Sequence, residues 1–473
     1  MFISKNLQLT SSLLKRTTRG SILLFVAIFG AISFTIIVLG VSGYAVFEQR
    51  ASTSVYRRDK AFHIAEAGIN YYRWHLAHNP TDYQDGTGEA GPYVHEYTDK
   101  DGNLVGYFSL EIDEPLVGSS VVTIRSTGYT LEQPHTTRTI QVRVGFPSLA
   151  DYVFLENANM NFSFTTDVHG VVHSNGGIRF DGTTDSWVRS AKETYQYQSQ
   201  THTGVWGAGG PQSFWEYPVD RIDFDSLSVD LDAVMDLADL DSMHFLSSGN
   251  QGWHVVFASS TFNLYRVTSN DCYYGNGRWR RFWFQWYWDG DMYCYDIGNE
   301  TFVATYNLPA HGALFFEDNV WIDGTVDGRV TIGVGRFPVQ APYKTAYING
   351  NLVYAEKSSD DVMGIIAQGD IIVPYEVPDS MEINAGALSQ FGAIYTPYYN
   401  PNENPNGLKD TLTFFGSQIS YTGGGWKYVN GWGNVISGFE YTNHVYDGNL
   451  KYYPPPGFPV GSTYELISWE ELE

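Results

Sequence analysis

The segment SNDCYYGNGRWRRFWFQWYWDGDMYCY, residues 269–295, holds the side chains best suited to recognition chemistry. Arg278, Arg280 and Arg281 are mixed with Trp279, Trp283, Trp286 and Trp288, and Cys272 and Cys294 bracket the whole. Aromatic faces stack on sugar rings or bases and attract cations. In an exported protein the two cysteines are expected to pair and close this local loop, with two unpaired thiols as the alternative. A hairpin stapled in this way would present Trp279, Arg281, Trp283, Trp286 and Trp288 as ligand contacts, with a surface glycan as the ligand. The plainer alternative is that these aromatics cover the insertion's own core.

Other chemistry-bearing strings are weaker. Asp99–Lys100–Asp101–Gly102–Asn103 is metal-like, but Asp-Gly-Asn between two strand-like runs reads as a hairpin turn, and the bidentate Glu of a calcium loop is missing at the required spacing. His169 and His173 lie four apart within VHGVVHSNGG, a strand-and-turn setting in which they converge less than on a helix, and no third ligand accompanies them. DGTVDG, residues 323–328, occurs once and favours a turn. In residues 220–243, Leu231, Val234, Met235 and Ala238 fall at helical spacing, with Asp230, Asp232, Asp236 and Asp239 mostly off that stripe; a solvated amphipathic helix is expected. No metal and no cofactor are expected. Without GxSxG, HExxH, Walker A or GxGxxG after a strand, catalysis is not expected either.

Composition bounds the class. The chain has 473 residues, a net charge of −24 and only 17% charged residues, a balance that argues against nucleic acid as a partner. With 16% aromatic and 43% hydrophobic residues it can build a core, and its 48 glycines among Val, Ile, Tyr and Phe favour short strands and tight turns.

The element that must carry all this is near the N-terminus. From Ser21 to Phe47 there is no charged residue, whereas Lys5, Lys15, Arg16 and Arg19 precede it and Glu48 is the first acid. A helix over that run is about 40 Å long, against a hydrocarbon core of roughly 30 Å. The basic flank predicts a single-pass membrane protein with a cytoplasmic N-terminus and its bulk outside. A secretory signal cleaved near Gly43–Tyr44–Ala45 is the competing expectation, disfavoured by the length of the apolar run. From Glu48 to His78 there is no proline, and Val55, Phe62, Ile64, Ala65, Ile69, Tyr72 and Leu76 make an amphipathic stripe that Asn79–Pro80 ends.

RTTRGSILLFVAIFGAIS and EQRASTSVYRRDKAFHIAEAGINYYRW, within residues 15–78, resemble the N-terminal region of type IV pilin-like proteins, most closely the PilX-type minor pilins. The resemblance places prepilin peptidase cleavage between Gly20 and Ser21 and matches AEAGI, Ala65–Ile69, to the family's AEAG-like signature. It also implies partners: the membrane, other pilin-like subunits and their assembly machinery. Major pilins carry Glu at the fifth mature position, where this chain has Phe25. A carboxylate there would dock on a neighbouring N-terminus; its loss implies a minor or accessory subunit, with Gly30, Ala31, Gly40 and Gly43 allowing close helix packing. An uncleaved signal anchor is the alternative.

Beyond the helix the pattern is β. The expected fold class is mainly β with a long N-terminal α-helix: a pilin-like helix with a small antiparallel sheet, then a parallel β-helix, or solenoid, with an irregular β-sandwich as the alternative. The domains read as a basic leader (1–20), the helix (21–78), a small antiparallel head (79–148), and a β-helix-like domain (149–473) carrying an insertion (183–307) and a proline-rich C-terminal strap (447–473). Two functions are expected from this. One is a membrane-inserted accessory subunit of a type IV pilus or related filament displaying an adhesive β-domain. The other is a permanently anchored surface glycan-binding protein or polysaccharide-active enzyme.

Overall fold

From Thr18 to His78 the chain is one α-helix (α1). The structure, a computed structural model, describes residues 18–116, 119–224, 231–461 and 463–472, so the expected leader, residues 1–17, and Asp230 lie outside the described residues. The chain divides into two compact units.

In the first unit, burial on α1 begins at Ala61 and continues through Ile64, Ala65, Ile69, Tyr72 and Leu76, whereas Val55 is exposed. The helix ends where Asn79–Pro80 predicts, and Tyr72 and His75 bond Asp82 at 3.0 and 3.1 Å to hold the exit. The buried face carries small residues because a sheet lies against the helix backbone. A β-carbon on Gly68 would sit 2.3 Å from Ser126 Oγ and 2.7 Å from the Phe108 ring, and one on Gly128 would sit 2.2 Å from the Ala61 carbonyl oxygen. Four strands, β1 (Tyr93–Thr98), β2 (Leu104–Asp113), β3 (Val122–Thr130) and β4 (Gln133–Gly145), form this sheet in sequence order, β1 antiparallel to β2. Alternating burial along β2 and β3 turns Phe108, Leu110 and Ile124 inward. Asp99 closes the β1–β2 turn by accepting the amides of Asp101 and Asn103, each at 2.9 Å. A fifth strand, Glu465–Leu472, joins the β4 edge, so the last residues of the chain complete the sheet. Gln141 donates to Glu470, Arg138 pairs with Glu471, and Trp469 packs edge-on against Phe62.

The second unit is built mainly on one large mixed sheet, most of whose strands are short, together with separate sheets of two and three strands, and no barrel closes among the described strands. Most of its pairings are parallel. One ladder runs Ala313–Phe316, Arg329–Val334, Val362–Ala367, Ser380–Ser389 and Leu408–Ser420. It then continues into strands from the start of the unit, Phe154–Glu156, Val172–Ser174 and Val188–Ser190. A second parallel ladder makes the same join, from Leu408–Ser420 through Val435–Val445 to Thr166–His169 and Thr183–Thr184. Strands late in sequence therefore meet strands early in sequence along a seam. The interior is apolar through Ile332, Ile365, Ile383, Leu412 and Phe414. The short helix α2, Leu231–Leu240, buries Leu231, Val234 and Ala238 and leaves Asp232, Asp236 and Asp239 exposed, as its spacing predicts. Pro454, Pro455 and Pro456 are buried along one side, where Arg329 donates to the carbonyls of Tyr453 and Pro454.

Candidate functional site

Three regions carry candidate function. The first is the N-terminal part of α1. Apart from Ser33, the side chains from Ile22 to Phe47 are exposed, Phe25 among them. A β-carbon on Gly30, Gly40 or Gly43 would meet nothing within 4 Å. Thr35 donates its hydroxyl to the Ala31 carbonyl at 2.7 Å, so its polar group is satisfied within the helix. By length and composition this helix can cross a membrane. Gly20 and Ser21 lie on it, but their side chains are outside the described residues.

The second is the hairpin formed by Thr261–Phe282 and Gln285–Asn307, which pair antiparallel along their length. Cys272 and Cys294 are joined by a disulfide. Opposed residues share a face of a two-stranded ribbon. Trp279 faces Trp288 and Arg281 faces Trp286, so four of the five candidate contacts lie on one face. The Trp279 and Trp288 rings meet edge-to-face at 5.7 Å, and the Arg281 guanidinium lies 5.8 Å from the Trp286 ring centre. Trp283 does not join them: it occupies the turn with φ 56° and stands 80% exposed beside Phe284 at 83%. Phe282, Phe284 and Tyr287 are also exposed at this tip, three aromatics that the residue pattern alone does not single out. On the opposite face Arg280 pairs with Asp289.

His169 and His173 do not converge. His169 is held between Asp167 and Asp185 at 3.1 and 2.8 Å, hydrogen bonds that raise its pKa against the opposing cost of burial. His173 is buried beside Asn175, and burial lowers its pKa.

The third region was not legible in the sequence. A cavity of about 520 Å³ opens at the seam of the second unit, within the size range of small-molecule sites, roughly 300–1,000 Å³. Here the interior changes from apolar to polar. The column Ile383–Phe414 continues into His444, and Ala387 continues into Gln418. Gln418 accepts from Trp426 Nε1 at 2.9 Å and bonds His444 Nδ1 at 3.0 Å. Burial lowers the His444 pKa to about 3, which keeps the ring neutral. Lys427 donates to Thr165 O, Thr165 Oγ1 and Glu440 O at 3.2, 2.9 and 3.0 Å, and burial lowers its pKa to about 8. Arg179 pairs with Asp181 at 2.8 Å. Glu156 lines the same cavity and is 8% exposed, and burial raises its pKa to about 8.

No protein-family model matches the chain, and no curated protein matches it. A solved structure with some likeness is the competence-associated pilin ComZ from Thermus thermophilus, 14% identical with a TM-score of 0.30 over 88% of this chain and 97% of that one. A likeness at that TM-score carries no argument about this chain.

Proposed function

We propose that the chain is a membrane-inserted, pilin-like accessory subunit of a type IV pilus or related filament, displaying a large β-domain outside the cell. The observation that carries this reading is α1 itself. It is one uninterrupted helix whose first part offers open apolar faces and whose second part packs through Ala61, Ala65 and Gly68 against an antiparallel sheet. A simple anchor needs no such continuity, whereas a filament subunit needs a helix that serves both bilayer and head. The resemblance of residues 15–78 to PilX-type pilins supports cleavage after Gly20, a cytoplasmic leader and an accessory rank, since Phe25 offers no carboxylate for docking. The parallel ladders of the second unit support reading it as a solenoid, a fold suited to display. The role is structural, without catalysis. Sheared surface filaments from cells making the chain should contain it; a chain confined to the envelope after shearing would contradict filament membership.

A second reading rests on the hairpin. Its exposed tip, Phe282–Trp283–Phe284 with Trp286 and Tyr287, is an aromatic surface that the unit's own core does not use. It supports an adhesive role for the displayed domain. Binding of the chain to a glycan array, weakened by Trp283→Ala and Trp286→Ala, is the expected result.

A further inference from the structure

In the parallel ladder of the second unit one column runs Phe316, Val334, Ala367, Ser389, Ser420, Glu156, Ser174 and Ser190, so that from Ser389 onward it is serine with a single exception. Ser389 is paired with Ser420, Ser420 with Glu156, Glu156 with Ser174, and Ser174 with Ser190. Each serine hydroxyl donates to a turn carbonyl: Ser389 to Gly369 at 2.7 Å, Ser420 to Thr422 at 2.9 Å, Ser174 to Ala158 at 2.6 Å and Ser190 to Gly176 at 2.7 Å. The fold at this corner is served by a short hydroxyl, and Glu156 stands where a serine would do.

The exception is costly. Among the described residues the Glu156 carboxyl has no hydrogen-bond or ion-pair partner, and burial is the sole cause of its shifted pKa. An unpartnered buried carboxyl destabilises a fold whether it ionises or takes up a proton. A costly group kept at the wall of a cavity marks a functional position. The cavity's cations are already engaged, Arg179 by Asp181 and Lys427 by Thr165 and Glu440. Both cations are thus occupied by partners within the protein, which disfavours a phosphate or carboxylate ligand. The lining also includes the aromatic residues Phe162, Tyr395, Trp426 and Tyr428 and the polar residues Asn161 and Glu156. Apolar rings beside a few hydrogen-bonding groups suit a ligand with flat C–H faces and hydroxyl edges.

We propose that the seam cavity binds a neutral mono- or disaccharide, with aromatic rings against the sugar faces and Glu156 hydrogen-bonded to its hydroxyls. The proposal does not depend on filament membership, since a permanently anchored chain would carry the same cavity. It places a saccharide site at the seam, separate from the surface-glycan contacts read at the hairpin tip.

The test uses the full chain in a zwitterionic, sugar-free detergent, with maltose, cellobiose and N,N′-diacetylchitobiose as probes in saturation-transfer NMR. At least one should receive saturation from the wild-type chain. Its affinity should drop at least tenfold in Glu156→Leu and in Tyr428→Ala. Glu156→Leu should melt no lower than wild type, which separates lost binding from lost folding; Tyr428 is partly exposed, so its truncation provides a second folded variant. Absence of transfer from all three sugars, or binding that survives both substitutions, overturns the proposal.

Discussion

Gly128 on β3 and Ala61 on α1 are in backbone contact: a β-carbon on Gly128 would lie 2.2 Å from the Ala61 carbonyl oxygen and 2.3 Å from the Ala65 amide nitrogen. The sheet is pressed against the helix at the point where burial on α1 begins. Gly128→Ala should therefore destabilise the first unit, by about 1–3 kcal/mol, because the atoms it meets are main chain and cannot turn aside. Thermal unfolding followed by a probe in the head, such as Trp469, measures this. Gly68→Ala should also destabilise despite the roughly 1 kcal/mol that alanine gains over glycine in a helix, but less, since Ser126 Oγ and Phe108 can shift.

The hairpin and its disulfide should be separable from the rest of the unit. Cys272→Ser with Cys294→Ser removes a link spanning 22 residues, worth about 3 kcal/mol in the chain-entropy account. Limited proteolysis should then cut the arms between Thr261 and Asn307 first, with the parallel ladders intact. Loss of protection in the ladders at the same rate would contradict a hairpin that opens locally.

His254 should make the second unit sensitive to alkali. Its ring is clamped between Glu300 at 2.7 Å and Asp323 at 3.0 Å. Burial opposes the charged form, but the hydrogen bonds and charges of Asp323 and Glu300 prevail and raise the pKa to about 9 from 6.5. A raised basic pKa contributes stability that is fully present below pH 6.5 and lost as pH rises through 9, roughly 3 kcal/mol in all. The melting temperature should fall across that window, and His254→Gln should flatten the fall while lowering stability at pH 6.

Glu156 acts in a different window. Its folded pKa is about 8 against 4.5 for the free group, so the native state holds a proton that the unfolded chain releases. Stability should decline by a few kcal/mol as pH rises from 4.5 to 8, because holding one extra proton costs on the order of 1.4 kcal/mol for each pH step. Glu156→Leu should remove that slope and raise the melting temperature at pH 8. A variant melting below wild type at pH 8 would show that the carboxyl has a structural partner after all.

The contrast between α1 and Glu156 shows what local pattern can carry. An uncharged run, an amphipathic stripe and Asn79–Pro80 are local features, and they specified the helix to its last residue. The turn at Asp99 and the buried face of α2 were legible for the same reason. The return of Glu465–Leu472 to the β4 edge was not, because pairing between segments so far apart leaves no local signal. The significance of Glu156 depends on Ser420 and Ser174 standing beside it, and only the ladder brings those three together. In the hairpin, alternation on a ribbon put Trp279, Arg281, Trp286 and Trp288 on one face, whereas the turn sent Trp283 elsewhere.

The most direct test of the pilin-like account is the mass of the mature N-terminus of the chain isolated from its own membrane. The account predicts a polypeptide beginning at Ser21, with N-methylation as the resemblance to type IV pilins implies. A chain that retains Met1, or one that begins after Ala45, would contradict it.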